Sequence, residues 1–78
     1  MKKTIHSKEV KKLCGLLHSA RQKAGYTQQE LAKLLGKPQS FVAKYELGER
    51  RLDLIEFLEI AKLLSADPIA ILKRLMKR

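Results

Sequence analysis

Seventy-eight residues suffice for one small domain with a single core. Seventeen Lys and Arg against eight Asp and Glu give a formal charge of +9, and 45% hydrophobic residues exclude a disordered polybasic tail. A basic folded domain of this kind points to a polyanionic partner, most often nucleic acid.

The apolar stretches are only a few residues long, so no membrane-spanning helix is expected. Met1-Lys2-Lys3 leads into Thr4, His6, Ser7 and Lys8 without an apolar run, so no signal peptide is expected either. A lone cysteine, Cys14, fits a cytoplasmic setting without an internal disulfide.

A first helix is predicted over about residues 7–24, with Val10, Leu13, Cys14, Leu17, Ala20 and Ala24 forming one stripe. Lys11, Lys12, Arg21 and Lys23 mostly fall outside it, and Gly25 supplies a stop. Gly15 within this helix costs about 1 kcal/mol relative to alanine. Thr27-Gln28-Gln29-Glu30 then reads as a capping box, with Tyr26 and Leu31 as its hydrophobic staple. Leu31, Leu34 and Leu35 are expected to face inward before Gly36 ends this second, short helix.

A third helix is expected over about residues 39–47, ending at Gly48. Spacing at 100° puts Phe41, Val42 and Tyr45 on one side and Gln39, Ser40, Ala43, Lys44 and Leu47 on the other. After the charged loop Glu49-Arg50-Arg51-Leu52, Asp53 and Glu56 form a second capping box. Leu54, Phe57, Leu58, Ala61 and Leu64 are expected to supply the core face of the fourth helix. Asp67 and Pro68 open a fifth helix over about residues 68–77. Its apolar stripe of Ile69, Ile71, Leu72, Leu75 and Met76 is wider than a short terminal helix needs and is the expected dimer interface, joined by Leu54 or Leu58 of the fourth helix.

Two short helices joined by a tight glycine-containing turn, the second polar on its outer face, describe a helix-turn-helix over about residues 27–47. The first helix buttresses the second, whose N-terminal side chains then reach base edges in the major groove. Gln bonds bidentately to adenine and Lys donates to guanine, so both suit that face.

Thr27-Gln28-Gln29-Glu30-Leu31-Ala32, Gly36, Gln39-Ser40-Phe41-Val42-Ala43-Lys44-Tyr45-Glu46 and Gly48 resemble the phage-repressor-like (Cro/cI-type, XRE) helix-turn-helix family. The resemblance covers about residues 9–72. It implies an all-α, compact five-helix lambda-repressor-like fold and, usually, a dimeric transcription regulator. By resemblance, Gln28 holds a DNA phosphate, while Gln39, Ser40 and Lys44 face bases or the groove edge. Lys37, Arg50 and Arg51 are placed for the DNA backbone, and Arg21 and Glu46 form a structural ion pair. Departures from the family pattern occur at four places, one of them a residue pair. Pro38 replaces a capping Ser or Thr, and Ala43 offers only a methyl group. Leu47 replaces a polar residue, and Ser65-Ala66 stands where a glycine commonly closes the fourth helix.

Some residues admit two roles. Phe41, at the edge of the apolar side, either packs in the core or meets a thymine methyl or the sugar backbone. Tyr45 is expected in the core with its hydroxyl at the rim. Cys14 and His18 are four residues apart, but third and fourth metal ligands are missing, so packing is favoured and no metal is expected. His6 reads as solvated. Lys2, Lys3, Lys8, Lys11 and Lys12 form either an arm tracking phosphates or a solvated end, and Lys73, Arg74, Lys77 and Arg78 complement the helix dipole.

No nucleophile–histidine–carboxylate set or glycine-rich phosphate loop is evident, so neither catalysis nor a cofactor is expected. The expected function is a sequence-specific regulator of double-stranded DNA acting as a homodimeric repressor. The alternatives are an antitoxin that binds a protein toxin and an RNA-associated module of the same fold. With the chain ending at Arg78, no sensor domain is expected. The charge is uneven: residues 1–26 carry net +6, residues 27–51 net +2 and residues 52–78 net +1. The case for DNA therefore rests on residue placement within the motif more than on its charge.

Overall fold

Helices follow one another in the computed structural model, which describes residues 8–77. They are α1 (Lys8–Ala24), α2 (Gln28–Leu35), α3 (Gln39–Leu47), α4 (Leu54–Leu63) and α5 (Pro68–Met76), and no strand occurs among the described residues. The fold is all-α. Lys2, Lys3, His6 and Arg78, read above as basic or solvated ends, lie outside the described residues.

The helix boundaries are set by local chemistry. Thr27 accepts from the Glu30 amide at 3.0 Å while the Glu30 carboxylate accepts from the Thr27 amide at 2.8 Å. Asp53 and Glu56 repeat the box at 2.7 and 3.0 Å. Each box satisfies two backbone donors that the helix itself leaves unpaired. Gly36 (φ 70°) and Gly48 (φ 81°) close α2 and α3 in the left-handed region, where a glycine has no Cβ to clash. Ser65 takes that role after α4 with φ 55°, at a cost of about 1–2 kcal/mol for a residue bearing a Cβ. The Ala66 amide compensates by donating to the Ala61 carbonyl at 2.8 Å. Asp67 caps α5, with Pro68 at the first helical position.

Leu17, Leu31, Val42, Tyr45 and Ile60 are fully buried, and Phe57, Leu64 and Ile71 join them to bind all five helices into one core. Several inward expectations are corrected. Leu34, Leu54 and Leu58 are exposed, and Ile60 takes the buried place on α4. The docked face of α4 is Phe57, Ile60, Ala61 and Leu64, and Leu58 lies about 100° round from Phe57 on the solvent side. On α1, Arg21 occupies the buried end of the stripe, and Ala24 is exposed beyond it.

The α5 stripe also divides. Ile71 is only 8% exposed and packs into the protein's own core. It is therefore withdrawn from the expected dimer surface. Leu72 and Leu75 are half-buried, whereas Ile69 and Met76 are exposed.

Candidate nucleic-acid interface

Between α2 and α3 the chain needs only Gly36, Lys37 and Pro38 to turn. The Lys37 amide donates to the Ala32 carbonyl at 2.9 Å, completing the close of α2. Pro38 is the N-cap of α3 and supplies no side-chain cap. The first-turn amides of α3 therefore lack the cap that α2 and α4 enjoy. Phe41, Val42 and Tyr45 bury one side of α3, leaving Gln39, Ser40, Lys44 and Leu47 exposed on the other, with Ala43 half-buried. Three polar side chains thus share one rigidly backed strip of helix.

The other end of α3 is anchored by Glu46, whose side chain is 4% exposed. Arg21 Nε donates to its Oε2 at 2.7 Å, and Nη2 donates to Oε1 at 3.1 Å. Arg21 Nη1 donates to the Tyr26 carbonyl at 2.8 Å. Gln28 Nε2 also donates to Oε1, at 3.0 Å, and with its proton on Nδ1 the His18 ring donates there at 2.8 Å. One carboxylate thereby ties α1 and the start of α2 to the end of α3. Burial alone would raise the Glu46 carboxyl; the hydrogen bonds from Arg21, His18 and Gln28 outweigh it and hold it below the usual range. The hydrogen bond to Glu46 raises Arg21 further.

This geometry revises two sequence readings. Gln28, assigned by resemblance to a phosphate, already spends one amide hydrogen on Glu46, leaving the second for any other acceptor. His18, weighed as a partner for Cys14, belongs to the Glu46 cluster. The signal lay in its position one turn before Arg21, on the same face of α1. Among the described residues no group of side chains is arranged to hold a metal ion. Burial pushes the Cys14 thiol up, away from the thiolate a metal would require.

Phe41 is 7% exposed and stands edge-on to Tyr45, with ring centroids 5.6 Å apart. Of the two roles open to it, packing is the one it takes: the ring belongs to the core. The Arg50 guanidinium lies 4.6 Å from its centroid and the Lys37 ammonium 5.4 Å, so two cations border the ring.

Arg50, placed for the DNA backbone by resemblance, is held within the chain. Its two terminal nitrogens each meet one oxygen of Glu56 at 3.0 Å, and Nη1 donates to the Arg51 carbonyl at 2.8 Å. That hydrogen bonding raises Arg50 and lowers Glu56. Arg51 and Lys37 remain exposed. The Tyr45 hydroxyl, expected at the rim, is buried without a hydrogen-bond partner. Burial, then the Glu46 charge, pushes it well above the usual tyrosine range.

The helix-turn-helix family model HTH_3 matches residues 17–69. No curated protein matches the sequence significantly. Among solved structures, an XRE-family like protein from Pseudomonas syringae pv. tomato str. DC3000 is 51% identical, with a TM-score of 0.83 over 92% of this chain and 88% of that one. The restriction-modification controller protein C.AhdI from Aeromonas hydrophila is 30% identical, with a TM-score of 0.74 over 81% of this chain and 91% of that one. The extent of the family match and the likeness over nearly the whole chain establish that this protein belongs to the XRE-type helix-turn-helix family.

Proposed function

We propose that the protein is a DNA-binding transcription regulator that reads sequence in the major groove with the exposed face of α3. The observation carrying this reading is the division of α3. Gln39, Ser40 and Lys44 face solvent, while Phe41, Val42 and Tyr45 fix the opposite side in the core. A reading helix requires rigid backing, because hydrogen bonds to base edges tolerate little misplacement. The likeness to a restriction-modification controller supports a regulatory role. Lys37 and Arg51, exposed at either end of α3, are assigned to phosphates, together with the free hydrogen of the Gln28 amide.

The active form is a homodimeric repressor on a palindrome, because one module of this size buries little DNA-facing surface. Leu54, Ile55 and Leu58 on α4, with Ile69 and Met76 on α5, are exposed large apolar residues on two helices that pack together. They are the candidate dimer surface, with the half-buried Leu72 and Leu75 at its edge.

Selection of bound duplexes from a random pool tests the function. The expected product is a palindromic consensus with half-sites about one helical turn apart. Absence of any enriched sequence contradicts sequence reading, and a sedimentation coefficient that stays monomeric with the selected duplex contradicts the dimer.

A further inference from the structure

A groove runs between α1 and the corner where α2 begins and α3 ends, lined by Lys11, Cys14, Gly15, His18, Gln28 and Leu47, with Glu46 at its back. Lys11, Cys14, Gly15 and His18 recur at helical spacing and so form one edge of α1. Leu47, 72% exposed, is the lip that joins the groove to the outer face of α3, one turn beyond Lys44.

Gly15 is the telling residue. It lies inside α1 at an ordinary helical φ, and a Cβ built there meets nothing within 4 Å. Neither backbone conformation nor packing within the chain calls for glycine, and glycine weakens a helix relative to alanine. A bare stretch of helix backbone on a groove floor does allow a close approach from outside.

The charges around that floor favour an anion. Lys11 is exposed at the rim. His18 has a 44% exposed side chain and is oriented through Nδ1 by Glu46, so Nε2 is the nitrogen left to an outside group. The groups facing His18 are Glu46 from α3, the neutral Gln28 from α2, and Arg21, Cys14 and Lys11 from α1 itself. The only anion among them, Glu46, is nearly buried and already paired with Arg21.

We propose that this groove seats one sugar–phosphate unit of the bound duplex, with Lys11 and the cationic form of His18, whose ring then carries a proton on both nitrogens, donating to the phosphate and Gly15 and Leu47 against the sugar. The site rests on the DNA-binding reading above and extends its footprint from the helix-turn-helix onto α1. Each phosphate neutralised by a cation adds about 0.9 to the slope of log K against log salt.

The test measures binding of the selected duplex between about 50 and 200 mM salt by fluorescence anisotropy, for wild type and for Gly15→Gln, Lys11→Gln and His18→Gln. Circular dichroism should show Gly15→Gln as helical as wild type and melting no lower, yet binding several-fold more weakly. Lys11→Gln should lower the slope by about 0.9. His18→Gln should likewise bind several-fold more weakly. Folded Gly15→Gln, Lys11→Gln and His18→Gln proteins with parental affinity and slope would overturn the site while leaving DNA binding intact. A wild-type protein that binds no duplex would instead overturn the parent reading.

Discussion

Arg21 and Glu46 meet across 2.7 Å between α1 and the end of α3, with side chains only 10% and 4% exposed. A buried pair of this kind contributes little compared with a well-packed apolar substitute, but removing one partner strands the other charge. Glu46→Ala is therefore expected to cost about 3–5 kcal/mol, read from urea unfolding midpoints. A loss within the range of an exposed ion pair, about 1 kcal/mol or less, would show that Arg21 finds water instead.

The same carboxylate makes stability depend on acid. Its folded pKa is held below the ordinary value, so the unfolded chain takes up its proton first. The stabilisation is complete above about pH 4.3, the unperturbed glutamate value, and is lost as pH falls through the lowered folded value. Unfolding free energies measured from neutral pH down through the carboxylate range should fall more steeply for wild type than for Glu46→Gln.

Arg50 and Arg51 are neighbours with different fates. Arg50 is held by both oxygens of Glu56, and Arg51 is exposed. Arg51→Ala is expected to lower the salt slope of DNA binding by about 0.9, with the melting temperature unchanged. Arg50→Ala should lower the melting temperature, because it releases the α3–α4 loop from Glu56 and the Phe41 ring, and should change the slope less. The opposite ranking would mean that Arg50 leaves Glu56 for a phosphate on binding.

The unpartnered Tyr45 hydroxyl is a liability in the core. A buried polar group without a hydrogen bond costs about 1–3 kcal/mol. Tyr45→Phe keeps the ring and its edge contact with Phe41, so thermal unfolding should show it as stable as wild type or more so. A clear loss of stability would mean that the hydroxyl has a bonded partner in solution.

The turns and caps were legible in the sequence because their chemistry is local. Thr27 with Glu30, Asp53 with Glu56, and the glycines at 36 and 48 act within one turn of helix. Which arc of α4 docks is not local: Leu58 and Ile60 are equally apolar, and the neighbouring helices decide between them. The roles of Arg50 and His18 escaped for a related reason. Each depends on a carboxylate, Glu56 or Glu46, that the fold brings within reach. Phe41, at the edge of the apolar face, was undecidable from spacing alone, and packing against Tyr45 settles it.

Base preference at the exposed face of α3 tests sequence reading most directly. Competition binding of wild type, Gln39→Ala and Lys44→Ala against every single-base variant of the selected duplex would measure it. Each substitution should relax discrimination at particular base pairs, by about 1–3 kcal/mol for each bidentate hydrogen-bonded pairing with a base that it removes, while leaving the other positions as in wild type. Parental preferences at every position in both variants would contradict α3 as the reading helix.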